Sequence, residues 1–563
     1  MRRRIAIGAA SLLTGIAAWL GAQALAPVKP ASELMPSGAL FYVEAHDFAK
    51  LVSAWDSSPE QKAWLESANY QSWTRSHLAV RLADVRKSYA EAAEVAEDAP
   101  FLDGVAGQES AVAFYNIGKL EFLYITRLES ARFAGSVLGK IKQKFEARKA
   151  AGHDYFVLSK GESTIAFALV DDRLLLATRE DLISSSLRLL AGEKIGALRE
   201  ERWFDDALAK APTGEVPDIR FVADLDRTTK THQFRSYWVH RNVDEVRQFA
   251  SEVADLKLNT SDIHERRVFV RRETQQEGLE KFEPAVDDVL RYATPDAGFT
   301  QAIARPDAGL VASLLGEKLF GHTKSTGQSD RVKFAPGAAV GSEAGGEDDY
   351  ETRVDAPVVA ETLTNTFAPL DDLAKNTDAL MQAGISRSGT GEVLPGLDSA
   401  VALHGIADWK PEDVKRTLGD VASSLWSVGP RGLQWMDRNG VSELNSVSPL
   451  RFTIDGRVLV ISTSPELMTH MLAGRRKTVG SPAGASYTAT LRYGQELPGF
   501  ARMMRLMDYP SLPQGQQQDA REPLFFSENM LSLMSSLGRL DSAAITSRDT
   551  GTLVTESVVY RKK

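Results

Sequence analysis

The residues best equipped for chemistry are few. His232 and His240 lie eight apart around Phe234, Arg235, Tyr237 and Trp238, and on a helix they would share a face. A metal site built from one helix wants histidines at i and i+4 or a further partner, so ligation is not the expectation here. Asp224 with Asp226, and Asp287 with Asp288, are the acidic pairs that general acid–base chemistry could use. Charged strand ends and helix faces account for them more simply. No Gly-x-Ser-x-Gly elbow, Ser-x-x-Lys pair, His-Glu-x-x-His helix or Walker-type glycine loop is present. No catalytic residue, cofactor or metal is therefore expected, and chelation should leave the fold intact.

The segment around His232 reads better as a contact surface. Its counterpart later in the chain is Phe500 to Met507, which carries Arg502, Met503, Met504 and Met507. Both stretches set Arg beside large, soft or aromatic side chains, a combination suited to lipid or to another envelope protein. The simpler account is an amphipathic helix with Arg stems lying over a core. Trp64, Trp73 and Trp203 are expected to pack helices on a sheet rather than to stack a ligand.

The elements that would position these residues recur. Ser163 to Gly192 and Leu450 to Gly474 share one plan: an apolar strand, a turn at Asp171-Asp172 or Asp455-Gly456, a second strand, a helix and Leu-Ala-Gly. Asp-Gly favours a tight hairpin in which both central residues take positive φ. Thr178 and Thr463 stand where a helix N-cap is expected, ahead of Glu180-Asp181 and Pro465-Glu466. Ser110 to Ile117 parallels Ser399 to Ile406, Ile219 to Leu225 parallels Tyr487 to Leu491, and Ala39 to Ala45 parallels Gly298 to Ile303. Charged strands, Arg266 to Arg272 and Thr552 to Arg561, close the halves. Order maintained over so long a stretch points to an internal repeat.

Composition is ordinary for a globular chain: 563 residues, 43% hydrophobic and 25% charged. The formal net charge of -9 argues against a nucleic-acid partner. Cysteine is absent, which excludes disulfides and thiolate sites. Met1 to Arg4 is basic, and Ile5 to Ala26 is apolar apart from Ser11, Thr14 and Gln23, long enough to cross a bilayer core of about 30 Å. Basic residues stay in the cytoplasm, so the bulk of the chain is expected on the periplasmic or extracytoplasmic side. Ala22-Gln23-Ala24 offers a signal-peptidase site, but the length of the run and Pro27 favour an uncleaved single-pass anchor in the cytoplasmic membrane.

The expected organisation is residues 1–30 as anchor or signal peptide, 31–290 as a first α+β repeat and 291–563 as a second. A Gly- and acid-rich insertion near 322–357 has too little apolar content to fold alone, and the Gln-rich stretch Pro513 to Pro523 is a second such loop. The fold class is α+β, mainly antiparallel sheet with packed helices and one N-terminal transmembrane helix. The entry strand Pro36-Ser-Gly-Ala-Leu-Phe-Tyr-Val-Glu44, with Asp172-Arg-Leu-Leu-Leu-Ala-Thr178 and its Glu-Asp-Leu sequel, resembles a class of bacterial exported proteins carrying a domain of unknown function. The resemblance implies an envelope location and no catalytic residues, and the Gly-rich insertion departs from it. The function expected is a non-enzymatic envelope scaffold or binding module, with a hydrolase whose site lies between the halves as the alternative.

Overall fold

A computed structural model describes residues 29–75, 77–96, 104–161, 163–231, 246–275, 278–320, 368–387, 396–426, 433–445, 449–475, 484–508 and 538–563. The fold is α+β, with antiparallel strands and helices on both faces. Residues 1–62, 73–257 and 267–273 form one compact unit, and 63–72, 258–266 and 274–563 form a second.

The first unit contains β1 (Phe41–Ala45), β2 (Ser110–Asn116), β3 (Glu121–Arg127), β4 (Glu146–Ala150), β5 (His153–Lys160), β6 (Ser163–Val170), β7 (Arg173–Ala177), β8 (Ile219–Asp224) and β9 (Phe249–Leu258), and the unit boundary runs through β10 (Asp262–Arg271). Pairing sets them in the order β4-β5-β6-β7-β3-β2-β1-β8-β9. Its helices are α1 (Ala31–Leu34), α2 (Phe48–Asp56), α3 (Pro59–Leu65) and α4 (Ala68–Thr74), both crossed by the boundary, α5 (His77–Ala93), α6 (Ser130–Gly135), α7 (Val137–Ile141), α8 (Glu180–Leu190), α9 (Arg202–Leu208) and α10 (Leu225–Thr228).

The second unit follows with α11 (Glu283–Leu290), β11 (Phe299–Ala304), α12 (Ala308–Phe320), α13 (Asp371–Lys375), β12 (Thr377–Arg387), β13 (Gly396–Gly405), α14 (Pro411–Trp426), β14 (Gln434–Arg438), β15 (Val441–Asn445), β16 (Leu450–Asp455), β17 (Val458–Ser462), α15 (Pro465–Gly474), β18 (Tyr487–Arg492), α16 (Tyr493–Asp508), β19 (Leu540–Asp549) and β20 (Leu553–Lys562). Its order is β14-β15-β16-β17-β13-β12-β11-β18-β19-β20. Strand for strand, the first nine positions are the order of the first unit.

The likeness reaches single hydrogen bonds. The hairpin β6–β7 closes on Val170 and Arg173, and β16–β17 closes on Asp455 and Val458. Leu128 N donates to Asp172 O at 2.7 Å, and Gly405 N to Arg457 O at 2.8 Å. Asp224 N donates to Leu40 O at 2.9 Å, and Arg492 N to Gly298 O at 2.7 Å. Passing from strand to strand, the register equates Phe41 with Phe299, Ala111 with Met381, Ile125 with Ala402 and Ile219 with Tyr487.

Three local expectations are corrected by this register. Ser399 corresponds to Phe122 in β3, not to Ser110 in β2, because β3 and β13 are the strands that pair with the second arm of each hairpin. Thr178 and Thr463 do not cap helices. Each hydroxyl instead accepts from a strand amide, Phe122 N at 3.0 Å and Ser399 N at 3.1 Å, while Ser464 caps α15 and Arg179 precedes α8 without a side-chain cap. The turn in the second hairpin is Gly456-Arg457, with Asp455 still in the strand. Only its first residue has positive φ (59°), as with Asp171 (54°).

Each sheet buries apolar residues on both faces. In the first unit Leu123, Ala166, Ala168 and Leu175 cluster with residues of α8 and α9, and Phe167, Leu174 and Leu176 with residues of α6 and α7. In the second, Ala302, Met381, Ala402 and Val460 meet α11 and α15, while Val401, Leu403 and Ile461 meet α12 and α14. Trp203 packs on Phe204 against the core of the first unit, with ring centroids 5.4 Å apart, and Trp64 lies 5.9 Å from Tyr70 on the next helix. Trp73 is 41% exposed. Among the described residues no helix is long and apolar enough to cross a membrane. The expected N-terminal helix, the insertion near 322–357 and the stretch Pro513 to Pro523 lie outside them.

Candidate functional site

The first unit has a cavity of about 400 Å³ over the α1 side of β1, β2, β3 and β8. Strand alternation places Glu44 on this face, and the pairing of β1 with β8 and β8 with β9 sets Glu44, Arg220 and Asp255 in one cross-strand row. Arg220 holds Asp255 through two bonds of 2.7 and 2.8 Å, and the Asp255 side chain is 1% exposed. Such a fork is the geometry that makes an Arg–carboxylate pair strong. It leaves Glu44 with a longer approach of 4.0 Å to Arg220 and a 2.8 Å bond from the Tyr42 hydroxyl. Burial, with the Glu44 charge adding to it, holds the Tyr42 hydroxyl well above the usual phenol range, so it stays a donor. Donating to Asp255 raises the pKa of the Arg220 guanidinium above its ordinary value.

The next row repeats this arrangement. Arg127 binds Asp172 at 2.8 Å and reaches Glu109 only at 3.7 Å. Arg173, opposite Arg127 in the ladder, donates to the Lys29 carbonyl at 3.0 Å, and Lys29 Nζ donates to the Leu189 carbonyl at 3.3 Å. Among the described residues neither Lys29 nor Arg173 has a carboxylate partner. The site therefore has two cations answered only by backbone on one side. Two acids with long or neutral contacts lie on the other.

The second unit places a different cluster at the equivalent position. His404 occupies the place of Arg127, with Nδ1 2.5 Å from Asp378 and Nε2 3.6 Å from Asp288 on α11. The His404 side chain is 10% exposed. Nearby, the Tyr292 hydroxyl donates to Asp455 at 2.5 Å, and burial followed by that bond raises its pKa. Among the described residues no group of three His, Asp or Glu side chains is placed to hold a metal ion.

The residues singled out by sequence have varied fates. His232, Phe234, Arg235, Tyr237, Trp238 and His240 lie outside the described residues. Arg502 is half-buried in α16, and Met503, Met504 and Met507 follow it along that helix. Asp224 caps α10 by accepting from Arg227 N at 2.9 Å, and Asp226 pairs with Lys230 and Arg272. These are the structural roles expected of charged strand ends. Asp288, set aside on the same grounds, proves to face His404. Sequence spacing had no means of finding Glu44, Arg220 and Asp255, which only strand pairing brings together.

No family model matches the chain, and no curated protein sequence is similar to it. Among solved structures, crystal forms I, IV and III of TP0453 are similar at 11%, 12% and 11% identity, with TM-scores of 0.24, 0.25 and 0.23. Each covers 44% of this chain and 81% of the other. A likeness this loose bears on neither fold nor site.

Proposed function

We propose that this chain is a non-enzymatic cell-envelope protein, a binding module held outside the cytoplasmic membrane by its N-terminal segment, whose two units descend from one duplicated α+β module. The basic Met1 to Arg4 and the apolar Ile5 to Ala26 support the location. The observation that carries the binding role is the contrast between copies of one sheet. The first keeps an open recess floored by charged side chains where the second is closed by α11.

A hydrolase has one feature in its favour, the imidazole of His404 held by Asp378. Such a base must reach a nucleophile or an attacking water. His404 instead lies buried beneath α11 with carboxylates facing both ring nitrogens. A binding role fits that arrangement better.

Fractionation tests the location and anchoring. The full chain should sediment with membranes, resist carbonate extraction and be digested by protease added to spheroplasts. Replacing Leu12 and Leu13 by Glu should release it from the membrane. Recovery of the unaltered chain as a soluble cytoplasmic protein would refute the proposal.

A further inference from the structure

The two units repeat one strand order but not its cover. Carrying the register back along the chain, Leu34 corresponds to Tyr292 and Ala31 to Val289, so one-turn α1 overlaps only the last two residues of α11, Val289 and Leu290. The earlier part of α11 lies on Ala302, Ala304, Ala379, Met381 and Ala402, all buried. Their first-unit counterparts are Glu44, His46, Glu109, Ala111 and Ile125, which line the cavity. Alanine beneath a helix allows close packing. Glutamates at the same places would have to be desolvated by an apolar cover. The preceding stretch in sequence, Ala22 to Val28, is apolar apart from Gln23 and complements that floor poorly.

The pattern of pairing indicates the charge of the occupant. Arg127 and Arg220 are each committed at 2.8 Å or less to a carboxylate outside the cavity lining, Asp172 and Asp255. Glu109 and Glu44 are left at 3.7 and 4.0 Å from those same guanidiniums, with side chains 55% and 42% exposed. Among the described residues Lys29 and Arg173 meet only carbonyl oxygens. Arg173 on β7 and Glu109 beside β2 are separated by β3, which at the usual strand spacing puts them roughly 10 Å apart.

We propose that this cavity binds a short peptide-like zwitterion, its carboxylate taken by Lys29 and Arg173 and its ammonium by Glu109 and Glu44. The assignment rests on the binding role proposed above and names its ligand class. A volume near 400 Å³ lies at the small end of the range for ligand pockets and suits a solute of two or three residues.

Calorimetry on the full chain, purified in mild detergent, tests it with triglycine, N-acetyl-triglycine, triglycine amide and the doubly capped peptide. Triglycine should bind with one site per chain, each single cap should weaken it about tenfold or more, and the doubly capped peptide should not bind. Arg173→Ala should erase the preference for a free carboxylate and Glu109→Gln that for a free amine, with melting temperatures unchanged because both side chains reach solvent. Equal binding of the doubly capped peptide, or no binding by any of the four, would overturn the assignment. Undiminished binding of N-acetyl-triglycine, insensitive to Glu109→Gln, would overturn the zwitterion while leaving a binding role in place. Membrane fractionation tests the location independently.

Discussion

The row Ala111–Glu44–Arg220–Asp255 in the first unit and the row Met381–Ala302–Thr488–Thr546 in the second occupy one position in one fold. The backbone bonds around them coincide, yet one row is ionic and the other apolar and hydroxylated. A second contrast lies on the opposite face. Ser110 and Thr126, bonded to each other at 2.6 Å, stand where Leu380 and Leu403 pack as a buried pair. A sheet's ladder and its apolar strands specify the architecture, and the residues beneath its cover are free to diverge toward a site or a core.

Breaking the ionic row should give the largest effect. Asp255→Ala strands the Arg220 guanidinium without its partner, and loss of one member of a buried pair costs about 3–5 kcal/mol. Thr546→Ala, its counterpart, should cost no more than about 1 kcal/mol. Urea denaturation of both variants measures the difference, and equal losses would remove the contrast. The hairpins sharpen the comparison. Gly456→Ala places a Cβ at φ 59° and should cost about 1 kcal/mol, whereas Asp171→Gly at φ 54° should cost nothing or stabilise slightly.

The shared tether comes next. Thr178→Val and Thr463→Val each remove the hydroxyl that accepts from Phe122 N or Ser399 N, and each should cost about 1 kcal/mol. A helix-cap role would predict lost helicity by circular dichroism, which should not be seen.

The smallest effect concerns pH. Hydrogen bonds from Arg148, then from Tyr155, lower the pKa of Glu180, while its second-unit counterpart Pro465 cannot titrate. A carboxyl held below its unfolded pKa adds stability above that value, near 4.5, and loses it as pH falls through the folded value. At pH 7 Glu180→Gln should therefore cost under about 1 kcal/mol for so accessible a pair. The gap from the unaltered chain should close under acid, and a gap that widens would contradict the assignment.

Much of the fold was legible because its signals are local. Alternating Ile165, Phe167 and Leu169, the Leu174 to Leu176 run and the turn after Val170 are a hairpin in any context. The matching of Ser110 with Ser399 failed because the short strand Glu121–Arg127 has little alternation, and Ser-Ala-Val-Ala occurs in two strands of different rank. The cap assignment failed because a Thr before a helix can equally turn back to a neighbouring strand, which sequence does not reveal. The candidate site was hidden for a topological reason. Glu44, Arg127, Arg220 and Asp255 sit on four strands, and their charges read separately as solvated strand positions. Asp288 was visible as a residue on a helical segment, but its partner His404 lies on β13, which only the packing of α11 on the sheet brings to it.

The most direct test is an experimental structure in which the two units are superposed. Strands β1 to β9 should fall on β11 to β19 in one order, with Thr178 and Thr463 bonded to Phe122 and Ser399 and with Asp255 and Thr546 at one place. Units that differ in strand order, or a register that puts Ser110 opposite Ser399, would contradict the account.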